Sequence, residues 1–163
     1  ALTLRRTAVP RSLPIRDVMT TDVVTFAPDD GVEDTMRRLV AAGIDAGPVV
    51  EDGRVVGLLS TGDLIVAQSQ VHVPTVITLL GASFELPGER KRFGEDLRRA
   101  VGGTVRDVMT PDPHTIGPDA TVEDAATLMH NHDVSRLPVV DADGALLGII
   151  ARGDIVRAMI AGD

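Results

Sequence analysis

The stretch Ile15–Arg16–Asp17–Val18–Met19–Thr20 decides the fold, because it returns as Val105–Arg106–Asp107–Val108–Met109–Thr110 at an offset of 90 residues. Two copies are too few for a solenoid, whose repeats stack in series. The repeat therefore predicts a pseudo-symmetric pair in which each half buries the other's apolar face. The agreement continues at offset 90, where Pro48–Val49–Val50 matches Pro138–Val139–Val140. After one inserted residue in the second copy the offset is 91, and Gly62–Asp63 matches Gly153–Asp154.

Composition predicts a soluble protein that binds neither nucleic acid nor membrane. The 163-residue chain has a formal net charge of −8 and only three aromatic residues, Phe26, Phe84 and Phe93. Nucleic-acid binders usually combine a basic surface with stacking aromatics. Cysteine is absent, which excludes disulfides and thiolate metal sites. Residues 1–14 lack the apolar core of a signal peptide, and no apolar run approaches the ~20 residues of a membrane span. We therefore expect a cytoplasmic protein.

Each copy has the pattern of a β-α-β-β-α unit. Asp-Gly between two apolar runs is a strong hairpin signal, and near-continuous apolar strands indicate a sheet that is covered on both faces. A further helix is expected to begin near Thr61 in the first copy and near Arg152 in the second. The other predicted elements are short helical turns (Ile15–Met19, Val105–Met109), extended segments (Val23–Phe26, His114–Ile116), long helices (Val32–Ala42, Val122–His132) and hairpins (Ala46–Val50 with Val55–Leu59, Leu137–Val140 with Ala145–Ile150).

The two long helices carry start and stop signals. Thr121 and Asp124 resemble a capping box. Gly43 stands where a left-handed residue ends the first helix, and Asp133 aligns with it in the second. The apolar stripes that helical spacing predicts are Val32, Met36, Leu39 and Val40 in the first helix and Val122, Ala125, Ala126 and Met129 in the second.

The segment between the copies, residues 71–102, is predicted to be a helical insert. We expect a helix in Val73–Gly81 with Pro74 at its first position, a turn at Phe84–Gly88, and a second helix over 89–101. One face of that second helix is basic. It is either a solvated surface or a docking surface for an acidic protein partner.

The doubled unit resembles a tandem pair of cystathionine-β-synthase (CBS) domains, a Bateman module. The resemblance rests on the ordered motifs Val-Met-Thr, Pro-Val-Val and Gly-x-x-Ser/Ala-x-x-Asp, found twice at almost the same spacing. It implies an α/β (α+β) fold in which two β-α-β-β-α units pack through their sheets. It also implies homodimers and clefts that bind adenosyl ligands: AMP, ADP, ATP, S-adenosylmethionine or NAD. The expected boundaries are a tail at 1–12, CBS domain 1 at 13–70, the insert at 71–102 and CBS domain 2 at 103–163.

Asp63 and Asp154 match the aspartate that contacts ribose in that family. A carboxylate can accept hydrogen bonds from both vicinal hydroxyls of a ribose. The residue types also suit a simpler role, since an acidic residue in the first turn of a helix caps it and meets the helix dipole favourably. Both interpretations stay open at this point.

Further ligand-binding residues follow from the same resemblance. Ser60 supplies the hydroxyl of the motif, whereas Ala151 has none. Arg136 and Arg152 offer guanidinium groups that suit phosphate, whereas their counterparts are Ala46 and Thr61. The remaining candidates in the two sites are Thr25, Thr61, Thr115, His114, Val134 and Pro138.

This asymmetry predicts two unequal clefts, of which one binds a phosphorylated nucleotide well. His130 and His132 do not share a helical face, so a solvated helix end is favoured there over a metal site.

Three functions remain to be compared. The first is a non-catalytic regulatory module that signals an adenosyl ligand through a shift of conformation and requires no cofactor. The second is a structural module for dimerisation or partner docking with degenerate clefts. The third is an enzyme, which the sequence disfavours because it has neither a phosphate-binding loop nor a nucleophile elbow.

Overall fold

The computed structural model describes residues 11–64, 76–79, 82–85 and 103–161 and shows an α+β fold. The chain divides into two compact units. One unit combines Ala1–Val23, Asp52–Val55 and Asp112–Asp163, and the other combines Val24–Glu51 and Val56–Pro111. The elements are a 3₁₀ turn (Ile15–Asp17), α1 (Val32–Ala42), β1 (Ala46–Glu51), β2 (Arg54–Ser60), β3 (Val76–Leu79), β4 (Ala82–Glu85), α2 (Val105–Val108), β5 (Thr110–Pro111), α3 (Val122–His132), β6 (Arg136–Val140), β7 (Leu146–Ala151) and α4 (Arg152–Ala161).

The unit that holds the second repeat also holds the first hexapeptide. Ile15 is fully buried in a core with residues of α3, β6, β7 and α4. Its backbone N–H donates to the carbonyl of Ala120 at 2.8 Å. Thr20 and Ile149 exchange two backbone hydrogen bonds of 2.9 Å and form an antiparallel bridge. The first hexapeptide therefore completes the core and the sheet of the second repeat.

The other unit has the reciprocal arrangement. Val105 of the second hexapeptide is fully buried among the first repeat's core residues, which include Phe26, Leu39 and Leu59. Its N–H donates to the carbonyl of Asp30 at 2.9 Å. In the sheet, β5 pairs antiparallel with β2, which places Thr110 opposite Leu58. Each hexapeptide thus packs with the repeat that it does not precede in the chain.

The two long helices match the predicted bounds, with one error in an apolar stripe. α1 and α3 occupy the predicted ranges, and Gly43 (φ 64°) and Asp133 (φ 52°) end them in the left-handed region. Val40 was wrongly assigned to the buried stripe, because its exposure is 80%. At about 100° of rotation per residue, it lies a quarter turn or more away from buried Leu39. Thr35 is buried instead and donates its hydroxyl to the carbonyl of Gly31 at 2.8 Å.

The two hairpins turn differently, which accounts for the inserted residue. In the first, Asp52 (φ 51°) and Gly53 (φ 77°) both adopt positive φ, as a two-residue type I′ turn requires. In the second, the carboxylate of Asp141 accepts from the N–H groups of Asp143 and Ala145 at 2.9 Å. The extra residue is held in this wider turn, so the strands on either side keep matching positions.

The first strand of each unit is reduced to one parallel bridge. Phe26 pairs with Val49, and Ile116 pairs with Val139. The extended segments predicted at 23–26 and 114–116 are thus present. Each is held by two backbone hydrogen bonds of one residue, which is Phe26 in the first and Ile116 in the second.

The prediction of a helical insert is wrong for residues 76–79 and 82–85. β3 and β4 form an antiparallel hairpin there, with Val76 opposite Glu85 and Leu79 opposite Ala82. The turn predicted at Phe84–Gly88 accordingly begins inside a strand. The run Val76–Ile77–Thr78 is β-branched, and such residues favour strands over helices. The basic helix predicted over 89–101 lies outside the described residues.

Candidate ligand site

Three segments converge in each unit where the ligand residues were predicted. They are the extended segment before the long helix, the beginning of the first hairpin strand, and the turn after the second. In the first repeat, the N–H of Thr61 donates to the carbonyl of Asp45 at 2.8 Å. In the second, the N–H of Arg152 donates to the carbonyl of Ser135 at 3.0 Å. These bonds fix the start of the last helix against the start of the strand.

In the first repeat, Ser60 and Asp63 form a cap at the helical residues 61–64. Oδ2 of Asp63 accepts from both the N–H and the hydroxyl of Ser60 at 2.9 Å, and Oγ of Ser60 accepts from the N–H of Asp63 at 3.2 Å. Within the described part of the chain, the hydrogen bonds of this carboxylate all use Oδ2. The capping role is present, and it uses only one of the two carboxylate oxygens.

In the second repeat, both oxygens of the matching carboxylate have partners. Oδ2 of Asp154 accepts from the N–H of Ala151 at 2.7 Å. Oδ1 contacts a guanidinium nitrogen of Arg157, one helical turn further along α4. The Asp154 side chain is 10% exposed and that of Arg157 is 74% exposed. Among the described residues, the two repeats therefore differ in the partners of this carboxylate as well as at Ser60 and Ala151.

The two arginines that were predicted to bind phosphate lie close to this turn. Arg136 begins β6 opposite Ala151 in the register and donates to Oγ of Ser135 at 3.2 Å. Arg152 begins α4, and its guanidinium lies 3.8 Å from a carboxylate oxygen of Asp133. Both cations thus flank the start of α4, where an anionic ligand would also meet the positive end of the helix dipole.

The extended segments carry the remaining predicted residues. Thr25 is half-buried, and its carbonyl accepts from Arg38 at 2.8 Å. Thr115 and His114 are exposed, and the His114 ring stacks on that of His132 with centroids 3.8 Å apart. Pro138 is buried, and its carbonyl accepts from the N–H of Ile116 at 3.1 Å.

Val134 is half-buried and packs against the core of its unit. Val134 thus contributes to the packing of the second repeat, and its predicted contact with a ligand stays a prediction, as does that of Pro138.

Sequence reasoning missed three neighbours of these residues. Arg38 contacts Thr25 and also pairs with Asp30 at 3.2 Å. His132 was assigned to a solvated helix end, and nothing in the sequence links it to His114. Arg157 could have been found, because residues three apart on a helix are neighbours and opposite charges at that spacing attract.

The described residues hold no group of three histidine, cysteine or acidic side chains suited to a metal ion. Among the same residues, no helix has the length and apolar character that crossing a membrane requires.

The chain belongs to the CBS domain family, whose model matches residues 15–70 and 105–161. One relative is the uncharacterized protein MJ1426 of Methanocaldococcus jannaschii, 35% identical over 153 residues that cover 90% of each chain. Another is the chloroplastic CBS domain-containing protein CBSX2 of Arabidopsis thaliana, 32% identical over 82% of this chain and 57% of its own length. The chain thus spans nearly all of the first relative and little more than half of the second.

Solved structures agree with this assignment. The crystal structure of CBSX2 in complex with AMP is similar with a TM-score of 0.70, at 30% identity over 91% of this chain and 96% of that chain. The CBS domain pair of protein MJ0100, in complex with 5′-methylthioadenosine and S-adenosylmethionine, has the same TM-score at 20% identity and shows the shared fold. The fold and the family are therefore established.

Proposed function

We propose that this chain is a non-catalytic regulatory module that binds an adenosyl ligand, of which AMP is the leading candidate. The observation that carries the proposal is the pair of matched carboxylates, Asp63 and Asp154, each at the start of a helix beside the first hairpin strand. The AMP complex of CBSX2, a relative with the same fold, supports the choice of ligand. Binding would shift the population of conformers that a partner recognises, by an amount that the ligand's differential affinity sets.

The site of the second repeat suits a phosphate better than that of the first. Arg136 and Arg152 flank the start of α4, whereas Ala46 and Thr61 stand at the matching positions. Guanidinium groups pair with phosphate oxygens through two parallel hydrogen bonds. We therefore infer that nucleotides bind the second site and that the first accepts an adenosyl group with less charge.

A thermal-shift panel with AMP, ADP, ATP, S-adenosylmethionine and NAD tests the proposal. A ligand at 100 times its dissociation constant adds about 2.7 kcal/mol to the free energy of unfolding. We expect AMP to stabilise the protein and D154N to weaken AMP binding about tenfold to a hundredfold, since hydrogen bonds to charged groups contribute most.

The matched control is D124N, since Asp124 caps α3 through Thr121 with the same geometry but lies outside the site. No stabilisation by any of the five ligands would contradict the proposed function.

A structural module for dimerisation or docking is the second candidate. Ala151 lacks the motif hydroxyl, and the carboxylate of Asp154 already has partners on both oxygens. Degenerate sites are expected to look like this. The same panel separates the two candidates, since a structural module would form homodimers in sedimentation experiments without responding to any ligand.

A further inference from the structure

The feature of interest is the contact between Arg157 and the carboxylate of Asp154. We propose that Arg157 determines the specificity of the second site, by occupying this carboxylate and thereby selecting ligands that carry a phosphate. The inference rests on the proposed function, because it assumes that Asp154 is the ribose-binding group. It concerns a residue that belongs to none of the repeated motifs.

The geometry makes Arg157 a competitor for the ribose hydroxyls. Oδ2 of Asp154 is engaged by the N–H of Ala151, and Oδ1 by the guanidinium. Only 10% of the Asp154 side chain is exposed. A ribose that approaches Asp154 must therefore displace the guanidinium or share the carboxylate with it.

The matching position of the first repeat carries no charge. Oδ2 of Asp63 accepts from the N–H and the hydroxyl of Ser60, and the residue that matches Arg157 at offset 91 is the uncharged Val66. The contact is therefore a difference between the two copies rather than part of the shared scaffold. It adds to the asymmetry that Arg136 and Arg152 already create.

Selectivity follows from where the displaced guanidinium goes. Adenosine carries no anionic group, so a guanidinium that it displaces from Asp154 has only water as a partner. In AMP the 5′-phosphate lies about one sugar ring from the hydroxyls. The backbone of Arg157 lies one helical turn from Asp154, so its long side chain can move from the carboxylate to this phosphate. A guanidinium fits phosphate oxygens closely. AMP therefore gives Arg157 a new ion pair in place of the one with Asp154, whereas adenosine breaks that ion pair and provides no other.

The test measures adenosine and AMP binding by isothermal titration to D63N protein, in which the first site is weakened, and to the D63N/R157M double variant. We expect R157M to tighten adenosine binding about two- to fivefold. This factor corresponds to the free energy of an exposed ion pair, which adenosine no longer has to break in the variant. AMP binding should stay the same or weaken. R157K should keep most of the preference for AMP, because it retains the charge.

R37M is the matched control, since Arg37 forms an intrahelical ion pair with Glu33 at 2.6 Å in α1, away from the predicted ligand residues. It should leave both affinities unchanged. Unchanged adenosine binding in R157M, or equal tightening for both ligands, would overturn the inference while leaving the proposed function intact. Absence of AMP binding to D63N protein would instead contradict the proposed function at the second site, and the inference with it.

Discussion

At the scale of single residues, the repeated glycines and methionines form pairs across the two copies. A Cβ added to Gly148 would lie 2.6 Å from the carbonyl oxygen of Thr20 and 2.8 Å from the sulfur of Met19. A Cβ added to Gly57 would clash in the same way with Met109. Each glycine thus leaves room for the hexapeptide of the other copy. The hexapeptide and the distant glycine are therefore two halves of one contact.

We predict that G148A destabilises the protein by about 1–3 kcal/mol, the usual cost of forcing extra volume into a packed site. The added methyl group meets backbone at Thr20, which can move only by disturbing the bridge to Ile149. Urea unfolding followed by circular dichroism measures the loss. G117A is the control, because nothing lies within 4 Å of a Cβ at Gly117. Equal stability of the two variants would contradict the packing argument.

At the scale of elements, helix ends are held by side chains close in sequence. Thr121 and Asp124 form the capping box of α3, with hydrogen bonds of 2.8 Å and 3.1 Å. Thr104 and Asp107 do the same for α2. These contacts span three residues, so they form whenever the local backbone turns into a helix. They explain why the predicted starts of α2 and α3 were accurate, whereas α1 begins after Gly31 without a side-chain cap.

The cap of α3 should make stability depend on pH in a defined direction. Hydrogen bonds from the N–H and hydroxyl of Thr121 hold the pKa of Asp124 below its usual 3.8. A lowered pKa in the folded state means that the stabilisation is full above pH 3.8 and is lost as the pH falls through the lower, folded value. The difference in melting temperature between wild type and D124N should therefore be constant near neutral pH and shrink below pH 3.8. A difference that grew on acidification would show that the sign is wrong.

At the scale of the whole molecule, the defining feature is the exchange of hexapeptides between repeats. Arg16 pairs with Asp119 in one unit, and Arg106 lies 3.7 Å from Asp29 in the other. Glu51 hydrogen-bonds Arg106 at 3.0 Å and, with Asp29, raises the pKa of its guanidinium. The shared arginines and aspartates of the repeat are thus partners of each other across the two copies. Neither repeat has a complete core without the segment that precedes the other.

This exchange predicts that a substitution near residue 15 destabilises structure more than 100 residues away. Ile15 is fully buried in the core of α3, β6 and β7. I15A should cost about 2–5 kcal/mol, as expected for removing most of a buried aliphatic side chain. In hydrogen exchange, amides of 122–155 should lose more protection than those of 32–60. V105A is the reciprocal control and should reverse the pattern. Greater loss at 32–60 in I15A would contradict the assignment.

The sequence alone determined the order of the elements within each repeat and the ends of the long helices. Asp52–Gly53 turns a hairpin, Gly43 and Asp133 end helices, and Thr121 begins one, because each effect depends on backbone sterics and hydrogen bonds within a few residues. The same locality predicted that Asp63 and Asp154 cap helices, whereas their proposed contact with ribose follows from the family resemblance. Where two local preferences competed, as at Val76–Ile77–Thr78, the sequence misled, and pairing with a second strand decided the outcome.

Only the tertiary structure decided which repeat each hexapeptide packs with, and which side chains surround the candidate carboxylates. Ile15 and Ile150 share a core, and His114 and His132 stack, although each pair is far apart in sequence. Arg157 is local to Asp154, but its contact with Oδ1 depends on the side chain conformation and on the Ala151 N–H engaging Oδ2. Long-range pairing is chosen by mutual burial and complementary shape, which a one-dimensional pattern does not encode. For this reason the sequence predicted the scaffold and the unequal residues of the two sites, and the structure added the contact of Arg157 with Asp154.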